Sequence, residues 1–431
     1  MPWSGESRLD NGIHDVRIPR AILARTRIKL PLATMIAIAP LTAGTTPGNS
    51  ERVWKLGTHV PELDGLRGLA ILIVTLYRFA KDLPADNFLG QTLQLTFNLG
   101  GRGVELFFVL SGFLITGILL DGKGRPNYFR NFIARRSLRI FPLYFGSLLL
   151  LLVGTKFVPA FRDLFAQGID NQFYLWTYLV NVKMSIANQW CFGYLDHFWS
   201  LAVEEHFYFI WPLILYCVSS KLALRTAIGL AFASAISRCM FVFFSNNDVA
   251  PDVLTIFRCD SLLIGAAIAI LARTSTGLEP LRKWLAPIAC GCALVVVCSS
   301  IMEKRLFTLP LSLWPILWAC VLVWLLMAKH TDRLAQGFNR PWLRTLGKYS
   351  YAMYVFQNPL IPLTSGVISV AALAPLVGDG LSAHLLYVCL MFVMTYAAAV
   401  LSWHVLERHC LKLKDYFPTS PARQRSFNIS P

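Results

Sequence analysis

The stretch GLRGLAILIVTLYRFAKD, residues 65–82, has the length and apolar content of a membrane-spanning helix, yet it carries two arginines. Arg67 and Arg78 are eleven residues apart, which is about 20° more than three helical turns, so both guanidinium groups lie on one face. At 1.5 Å per residue they are separated by roughly 16 Å along the axis. Two permanent charges on one face of an apolar helix predict a polar site inside a helical membrane protein.

The composition of the whole chain also favours a membrane protein. Of the 431 residues, 55% are hydrophobic and only 15% are charged, whereas soluble domains average about 25% charged residues. In a soluble protein the net charge of +16 would suggest a nucleic-acid partner. Here we attribute it to Lys and Arg in cytosolic loops and expect no nucleic-acid partner. The ten cysteines and eight histidines lack the spacing of zinc ligands, so we predict no metal site.

Apolar segments of helical length predict an all-α, polytopic membrane bundle of about ten transmembrane helices. The segments are 64–82, 103–121, 138–157, 198–219, 222–244, 254–272, 284–301, 308–328, 349–369 and 384–406. Most of the 40 Lys and Arg then lie on the side of the N-terminus, so the positive-inside rule places both termini in the cytosol. A further apolar stretch at 172–186 would invert every later loop if it crossed. We predict that it is re-entrant or interfacial on the outer side.

The predicted bundle is flanked by polar segments. Residues 1–55 are basic and rich in proline, which predicts a disordered cytosolic leader. The transmembrane domain is predicted over 56–414 and a cytosolic tail over 415–431.

Charged residues within the predicted spans form two groups. An inner group at the cytosolic ends of the first and third spans comprises Arg67, Arg135, Arg136 and Arg139. An outer group comprises Arg78, Glu105, Glu204, Glu205, Arg238, Arg258 and Asp260. An isolated arginine at mid-bilayer costs at least about 2.5–3.5 kcal/mol, so these side chains are expected to pair or to line a watery cavity. The inner group fits either a basic cap beside anionic headgroups or a site for a phosphate-bearing ligand. The outer group fits either a packing network or a functional site.

Several segments, taken together and in order, resemble the acyltransferase-3 family of integral membrane acyltransferases, which O-acetylate bacterial surface polysaccharides and related glycans. The resemblance runs from Pro61 to Lys414. The segments are ELDGLRGLAIL at Glu62, GVELFFVLSGFLI at Gly103, RRSLRIFPLYF at Arg135, HFWSLAVEEHFYFIWPL at His197, FRCDSLLIG at Phe257 and LGKYSYAMYVFQNPL at Leu346.

The resemblance implies an enzyme of the bacterial inner membrane, surrounded by membrane lipid. It would move an acyl group, expected to be acetyl, from acyl-CoA to a hydroxyl of a glycan or glycolipid. Acyl-CoA is then a substrate, and no bound cofactor is expected. The donor would bind at Arg67, Arg135, Arg136 and Arg139. The acceptor side would be shaped by Glu105, Glu204, Arg258 and Asp260.

The sequence departs from the family at the residues taken as catalytic. The family histidine eleven positions after the first arginine is Arg78 here, and a second family histidine is Gln357. Because arginine stays protonated, Arg78 cannot accept a proton, although it can stabilise an oxyanion. One hypothesis moves the base to His197, His206 or Glu205. In a second hypothesis the reaction proceeds without a protein base. In a third the chain is a catalytically inactive relative that binds or translocates an acylated lipid or glycan.

Overall fold

A computed structural model describes residues 60–301, 309–329, 331–378 and 380–418. In these ranges the chain forms helices and turns and no β-strand, which confirms the predicted all-α class for the described part of the chain. The predicted leader at 1–55 lies outside the described residues, as does most of the predicted tail at 415–431.

Ten helices of 17 residues or more form the body of the described structure. They are α1 Pro61–Ala80, α2 Gly103–Gly122, α3 Tyr128–Phe157, α4 Trp199–Cys217, α5 Ser220–Phe244, α6 Thr255–Leu271, α7 Arg282–Ile301, α8 Leu309–Met327, α9 Pro341–Thr364 and α10 Leu381–Ser402. Each of the ten predicted spans overlaps one of these helices.

Six stretches of the described chain are long and apolar enough to cross a membrane, which supports an integral membrane protein. They are Phe88–Gly122, Tyr128–Phe157, Ser220–Phe244, Ala250–Leu271, Glu279–Cys298 and Leu381–Tyr416, and a shorter apolar helix covers Leu311–Met327. Helices α1, α4 and α9 are less uniformly apolar because they carry residues such as Arg67, Glu204 and Lys348. The count of ten spans and the cytosolic position of both termini stay predictions.

Short helices connect the long ones. They include Phe88–Asn98, Pro159–Leu164, Ala166–Asp170, Gln172–Trp176, Val180–Ala187, Ala250–Val253, Arg333–Phe338, Val370–Val377 and Arg408–Lys412. The stretch predicted to be re-entrant or interfacial forms two of them, separated by a turn in which Tyr178 has a left-handed φ of 55°. Each is far shorter than the roughly 20 residues that cross a bilayer core.

Glycines allow two pairs of helices to pack backbone against backbone. A Cβ atom added at Gly347 of α9 would lie 1.9 Å from the carbonyl oxygen of Asp64 at the start of α1. A Cβ atom at Gly112 of α2 would lie 1.9 Å from the carbonyl oxygen of Leu262 in α6. Small residues at such contacts are typical of packed membrane helices. These contacts fix where α1, α2 and α9 stand around the centre of the bundle.

Candidate active site

A cavity of about 110 Å³ lies between α1, α2, α3, α4 and α9. Its apolar walls come mainly from α2, with Phe107, Phe108 and Leu114 among them. Its polar side chains are Arg67, Ser111, Arg136, Arg139, Ser200, Glu204, Glu205, Tyr208, Ser350, Tyr351 and Tyr354. A concave, partly apolar space with a few convergent charged groups is typical of a substrate site.

The arginines reach the cavity because α3 begins earlier than the sequence predicts. The predicted span starts at 138, whereas the helix starts at Tyr128. Arg136 is eight residues into the helix, about 12 Å from its start, instead of at a loop boundary. Arg139, three residues later, projects from the same side. Both arginines therefore line the cavity beside Arg67 of α1.

Glu204 takes part in a hydrogen-bonded chain with two hydroxyl groups. The Tyr208 hydroxyl donates to Glu204 Oε2 at 2.8 Å. The Ser111 Oγ atom lies 2.5 Å from the same Tyr208 hydroxyl. The guanidinium carbon of Arg136 lies 5.8 Å from the centroid of the Tyr208 ring, within the range of a cation–π interaction. The chain joins α2 to α4 across the cavity.

Glu205 differs from the adjacent Glu204 in its hydrogen bonding. Glu205 lines the cavity, and its buried Oε1 atom has no hydrogen-bond partner among the described residues. Burying a polar atom without a partner costs free energy, on the order of 1–3 kcal/mol. A carboxylate kept in that state, facing a cavity that also holds arginines, is a candidate proton acceptor.

A second, basic cleft of about 410 Å³ adjoins the cavity. Arg67 and Arg139 line both spaces, so they stand where the two meet. The cleft adds Asp64, Pro341, Arg344, Thr345, Gly347, Lys348 and Trp403. The ammonium group of Lys348 lies 4.7 Å from the centroid of the Trp403 ring. The concentration of arginine and lysine makes the cleft suited to a phosphate-bearing ligand.

The predicted inner and outer groups of charges are not separate in the structure. Arg67, Arg136 and Arg139 of the inner group line one cavity with Glu204 and Glu205 of the outer group. The fourth inner arginine, Arg135, lies elsewhere. Its guanidinium group donates to the carbonyl oxygens of Lys414 at 3.0 Å and Phe417 at 3.1 Å.

Four other members of the outer group form two buried ion pairs that do not line the cavity. Arg258 donates to Glu105 Oε1 at 2.8 Å. Arg238 donates to Asp260 Oδ2 at 2.9 Å. Neither pair is more than a few per cent exposed. The predicted mutual compensation therefore holds for these four residues, and their position favours a packing role over contact with a substrate.

Neither candidate histidine lines the cavity. His197 is 2% exposed and lies just before α4. Burial, and then the positive charge of Arg78, lower the pKa of His197 to about 3, which makes it a weak base. His206 projects from another side of α4, where its Nδ1 atom lies 2.7 Å from the Thr255 hydroxyl.

Arg78 and Gln357, at the two positions where the family has histidine, also lie outside the cavity lining. The Thr75 hydroxyl, one turn before Arg78, donates to Gln357 Oε1 at 3.3 Å. The Arg78 Nε atom is buried and has no hydrogen-bond partner in the described part of the chain. Gln357 therefore contacts the helical turn that precedes Arg78, and neither position lines the cavity that holds the two carboxylates.

Sequence reasoning missed several residues of this site. Arg344 and Lys348 are four residues apart on α9, a spacing that places both on one face and could have drawn attention to them. The same spacing relates Tyr208 to Glu204. Trp403 gave no such signal, because its partners are distant in sequence. Ser111 in LSGF invites interpretation as a nucleophile, but the sequence lacks the strand-to-helix elbow of GxSxG and so favours a role in helix packing.

Known proteins resemble this chain over most of its length. A family model described as an acyltransferase domain matches residues 60–403. Peptidoglycan O-acetyltransferase OatA of Listeria monocytogenes serovar 1/2a is 28% identical over 334 residues, which cover 72% of this chain and 51% of that protein. The Bacillus subtilis strain 168 protein named "Putative peptidoglycan O-acetyltransferase YrhL" is 29% identical over 81% of this chain and 54% of its own length. The chain thus spans about half the length of these two relatives. No solved structure matches it.

Proposed function

Because the chain belongs to the acyltransferase-3 family, whose model matches residues 60–403, we propose that it is an O-acetyltransferase of the bacterial inner membrane. It would transfer acetyl from acetyl-CoA to a hydroxyl of a peptidoglycan-like glycan. The observation that carries the proposal is the cavity in which Glu204 and Glu205 of α4 face Arg67, Arg136 and Arg139. A glycolipid with a free sugar hydroxyl would satisfy the same chemistry on the acceptor side.

The basic cleft supports acyl-CoA as the donor. CoA carries several phosphate charges at the end of the molecule remote from its thioester. Arg344 and Lys348 would bind those charges in the cleft. Arg67 and Arg139, which line both spaces, would then lie beside the part of the donor that enters the cavity.

The predicted topology agrees with a cytosolic donor. If ten helices cross and the N-terminus is cytosolic, α1, α3 and α9 begin on the cytosolic side and α10 ends there. The cleft is lined by residues from the beginnings of α1 and α9 and by Trp403 directly after α10. Acyl-CoA is made in the cytosol, so this orientation gives the donor direct access.

Glu205 is the proposed general base for the acceptor hydroxyl. Glu205 lines the cavity, and its Oε1 atom has no hydrogen-bond partner among the described residues, so this carboxylate has an acceptor position left for an incoming hydroxyl. The arginines would stabilise the oxyanion that forms when the hydroxyl oxygen attacks the carbonyl carbon of the acyl group. This assignment corresponds to the first hypothesis for the missing family histidines, in which another residue of the chain serves as the base. The relatives are named as acetyltransferases, which gives no support to an inactive binding protein.

The test is acetyl transfer by the full chain in proteoliposomes supplied with acetyl-CoA and peptidoglycan glycan fragments. We expect chromatography to detect free CoA and mass spectrometry to detect O-acetylated fragments. Glu205→Gln should lower the rate by about 10²–10⁴-fold. His206→Gln is the matched control, because it changes the adjacent residue outside the cavity, and it should leave the rate unchanged. Equal rates in the two variants would refute Glu205 as the base, and no acetyl transfer by the unmodified protein would refute the function.

A further inference from the structure

The hydrogen-bonded chain Ser111–Tyr208–Glu204 has a direction. Because the Tyr208 hydroxyl proton is donated to Glu204 Oε2 at 2.8 Å, the tyrosine oxygen is the acceptor for Ser111. The Ser111 hydroxyl, 2.5 Å away, is therefore the donor. A proton leaving Ser111 passes to Tyr208 while the proton of Tyr208 passes to the carboxylate. All three side chains line the cavity.

This arrangement has the form of an activated nucleophile. In enzymes that use covalent catalysis, a hydroxyl lies within hydrogen-bond reach of a group that takes its proton, and a third group orients that second one. Ser111 is the hydroxyl, Tyr208 relays the proton, and Glu204 orients the tyrosine and receives the charge. Arg67 and Arg136 both interact electrostatically with Tyr208, so positive charge lies close to the same point.

The other serine hydroxyls of the cavity are not linked to a carboxylate. Ser350 donates to the carbonyl oxygen of Gly347 in its own helix at 3.0 Å. Ser200 donates to the carbonyl oxygen of His197 at 3.3 Å and contacts the Tyr354 hydroxyl. A backbone carbonyl cannot take a proton, so neither hydroxyl is activated in this way. Ser111 is distinguished from them by a chain that ends in a carboxylate.

The helix packing holds Ser111 in place. The adjacent Gly112 touches the backbone of α6, where a Cβ atom would lie 1.9 Å from the carbonyl oxygen of Leu262. This contact fixes the rotation of α2 and directs Ser111, one residue earlier, toward α4. Ser111 lies in the middle of a helix, so it lacks the strand-to-helix elbow whose backbone N–H groups serve serine hydrolases. The arginines supply the positive charge instead.

We propose that Ser111 carries the acyl group as an ester between donor and acceptor, an inference that rests on the function proposed above. In the first half-reaction the Ser111 oxygen bonds to the thioester carbon and the carbon–sulfur bond breaks. The serine proton passes through Tyr208 to Glu204, and CoA leaves as a thiolate that is protonated in the cytosol.

In the second half-reaction the acceptor hydroxyl attacks the serine ester and gives its proton to Glu205. The bond between the carbonyl carbon and the Ser111 oxygen breaks, and that oxygen recovers its proton from Glu204 through Tyr208. Glu205 then releases its proton to solvent. Glu204 thus accepts the Ser111 proton in the first half-reaction and returns it in the second, whereas Glu205 acts on the acceptor alone. This division accounts for why Glu204 is hydrogen-bonded to Tyr208 while Glu205 Oε1 has no hydrogen-bond partner among the described residues.

The first test uses the unmodified full chain in proteoliposomes with acetyl-CoA and isotopically labelled CoA, and no acceptor. A serine ester predicts exchange of label between CoA and acetyl-CoA, and peptide mass spectrometry should find one acetyl group on Ser111. Acetyl transfer to glycan fragments is measured on the same preparation. Transfer without exchange, or an acetyl group on another residue, would overturn the serine ester and leave the proposed function intact. Absence of transfer would remove both proposals.

Variants give the second test. Ser111→Ala should lower the exchange rate at least about 100-fold. The control is Ser237→Ala in α5, whose hydroxyl donates to the carbonyl oxygen of Ser234 in its own helix outside the cavity lining, and it should retain the rate. Ser111→Cys should still become acylated, as a thioester that neutral hydroxylamine cleaves. Size-exclusion profiles in detergent establish that each variant is folded. Equal exchange rates in folded Ser111→Ala and Ser237→Ala would overturn the inference.

Discussion

The contact between α1 and α9 is so close that one methyl group at Gly347 should disturb the candidate site. A Cβ atom there would lie 1.9 Å from the carbonyl oxygen of Asp64 and 3.1 Å from the nitrogen of Gly68. Since real Cβ atoms essentially never come within 3.0 Å of such an atom, the helices must separate locally by about 1 Å, and overpacking of this kind costs about 1–3 kcal/mol. Arg67 and Lys348, which flank the contact, would move apart with the helices. A misplacement of about 1 Å in a catalytic site lowers a rate by about 100-fold.

Gly347→Ala should therefore reduce both the rate of CoA release in proteoliposomes and the unfolding temperature in detergent. Gly291→Ala is the matched control, because Gly291 lies inside α7 and a Cβ atom there meets nothing within 4 Å. It should match the unmodified protein in both assays. If Gly347→Ala is as active and as stable as Gly291→Ala, the close packing of α1 on α9 does not position the site and the reasoning is refuted.

Three further predictions concern the basic cleft, Arg135 and Asp196. Arg344→Ala and Lys348→Ala should each raise the KM for acetyl-CoA with little change in kcat, as expected for groups that bind only the remote phosphates. Steady-state kinetics should show this effect shrinking as salt rises. Arg135→Ala should leave that KM unchanged, because its guanidinium group binds backbone carbonyls. A rise equal to that of Lys348→Ala would contradict this. Burial raises the pKa of Asp196 from 3.8 to about 6, so the folded state binds an extra proton and stability falls as pH rises through that window. Asp196→Asn should remove this fall. The unfolding temperature, measured as a function of pH, should therefore fall less steeply in the variant than in the unmodified protein, and parallel pH dependences would contradict the prediction.

The sequence was sufficient to find most charged residues of the site. Arg67, Arg136, Arg139, Glu204 and Glu205 stand out because ionisable side chains inside apolar segments are costly and rare. The same reasoning located the ten long helices, since hydrophobic runs of that length have few alternatives in a chain of this composition.

The sequence could not show that these residues meet in one cavity. The predicted ends of the spans determine the depth in the membrane expected for each charged residue. Helix α3 begins at Tyr128, ten residues before the predicted span, so the expected depths of its arginines were wrong. That segment contains Arg130, Arg135 and Arg136, and hydropathy alone ends a span at such charges. The helix continues because neighbouring helices and the cavity accommodate them. Side-chain pairings such as Ser111 with Tyr208 depend on the rotation of two distant helices, which no local pattern encodes.

The two arginines of α1 lie on one face of the helix but have different neighbours. Arg67 lines the cavity and the basic cleft. Arg78, roughly 16 Å farther along the axis, interacts electrostatically with Asp196, His197 and Tyr354. Tyr354 lines the cavity, and its hydroxyl donates to the carbonyl oxygen of His197 at 2.8 Å. Tyr354 therefore stands between the cavity and the surroundings of Arg78.

This placement limits which groups can take a proton during the proposed transfer. A histidine restored at position 78 would lie beyond Tyr354, away from the free oxygen of Glu205. Among the described residues that line the cavity, the arginines and tyrosines ordinarily keep their protons at neutral pH, and serine does not act as a base unaided. Glu204 and Glu205 are the ionisable groups that remain. A chain with no histidine at either family position can thus retain acyl transfer, provided that carboxylates on α4 perform the proton transfers.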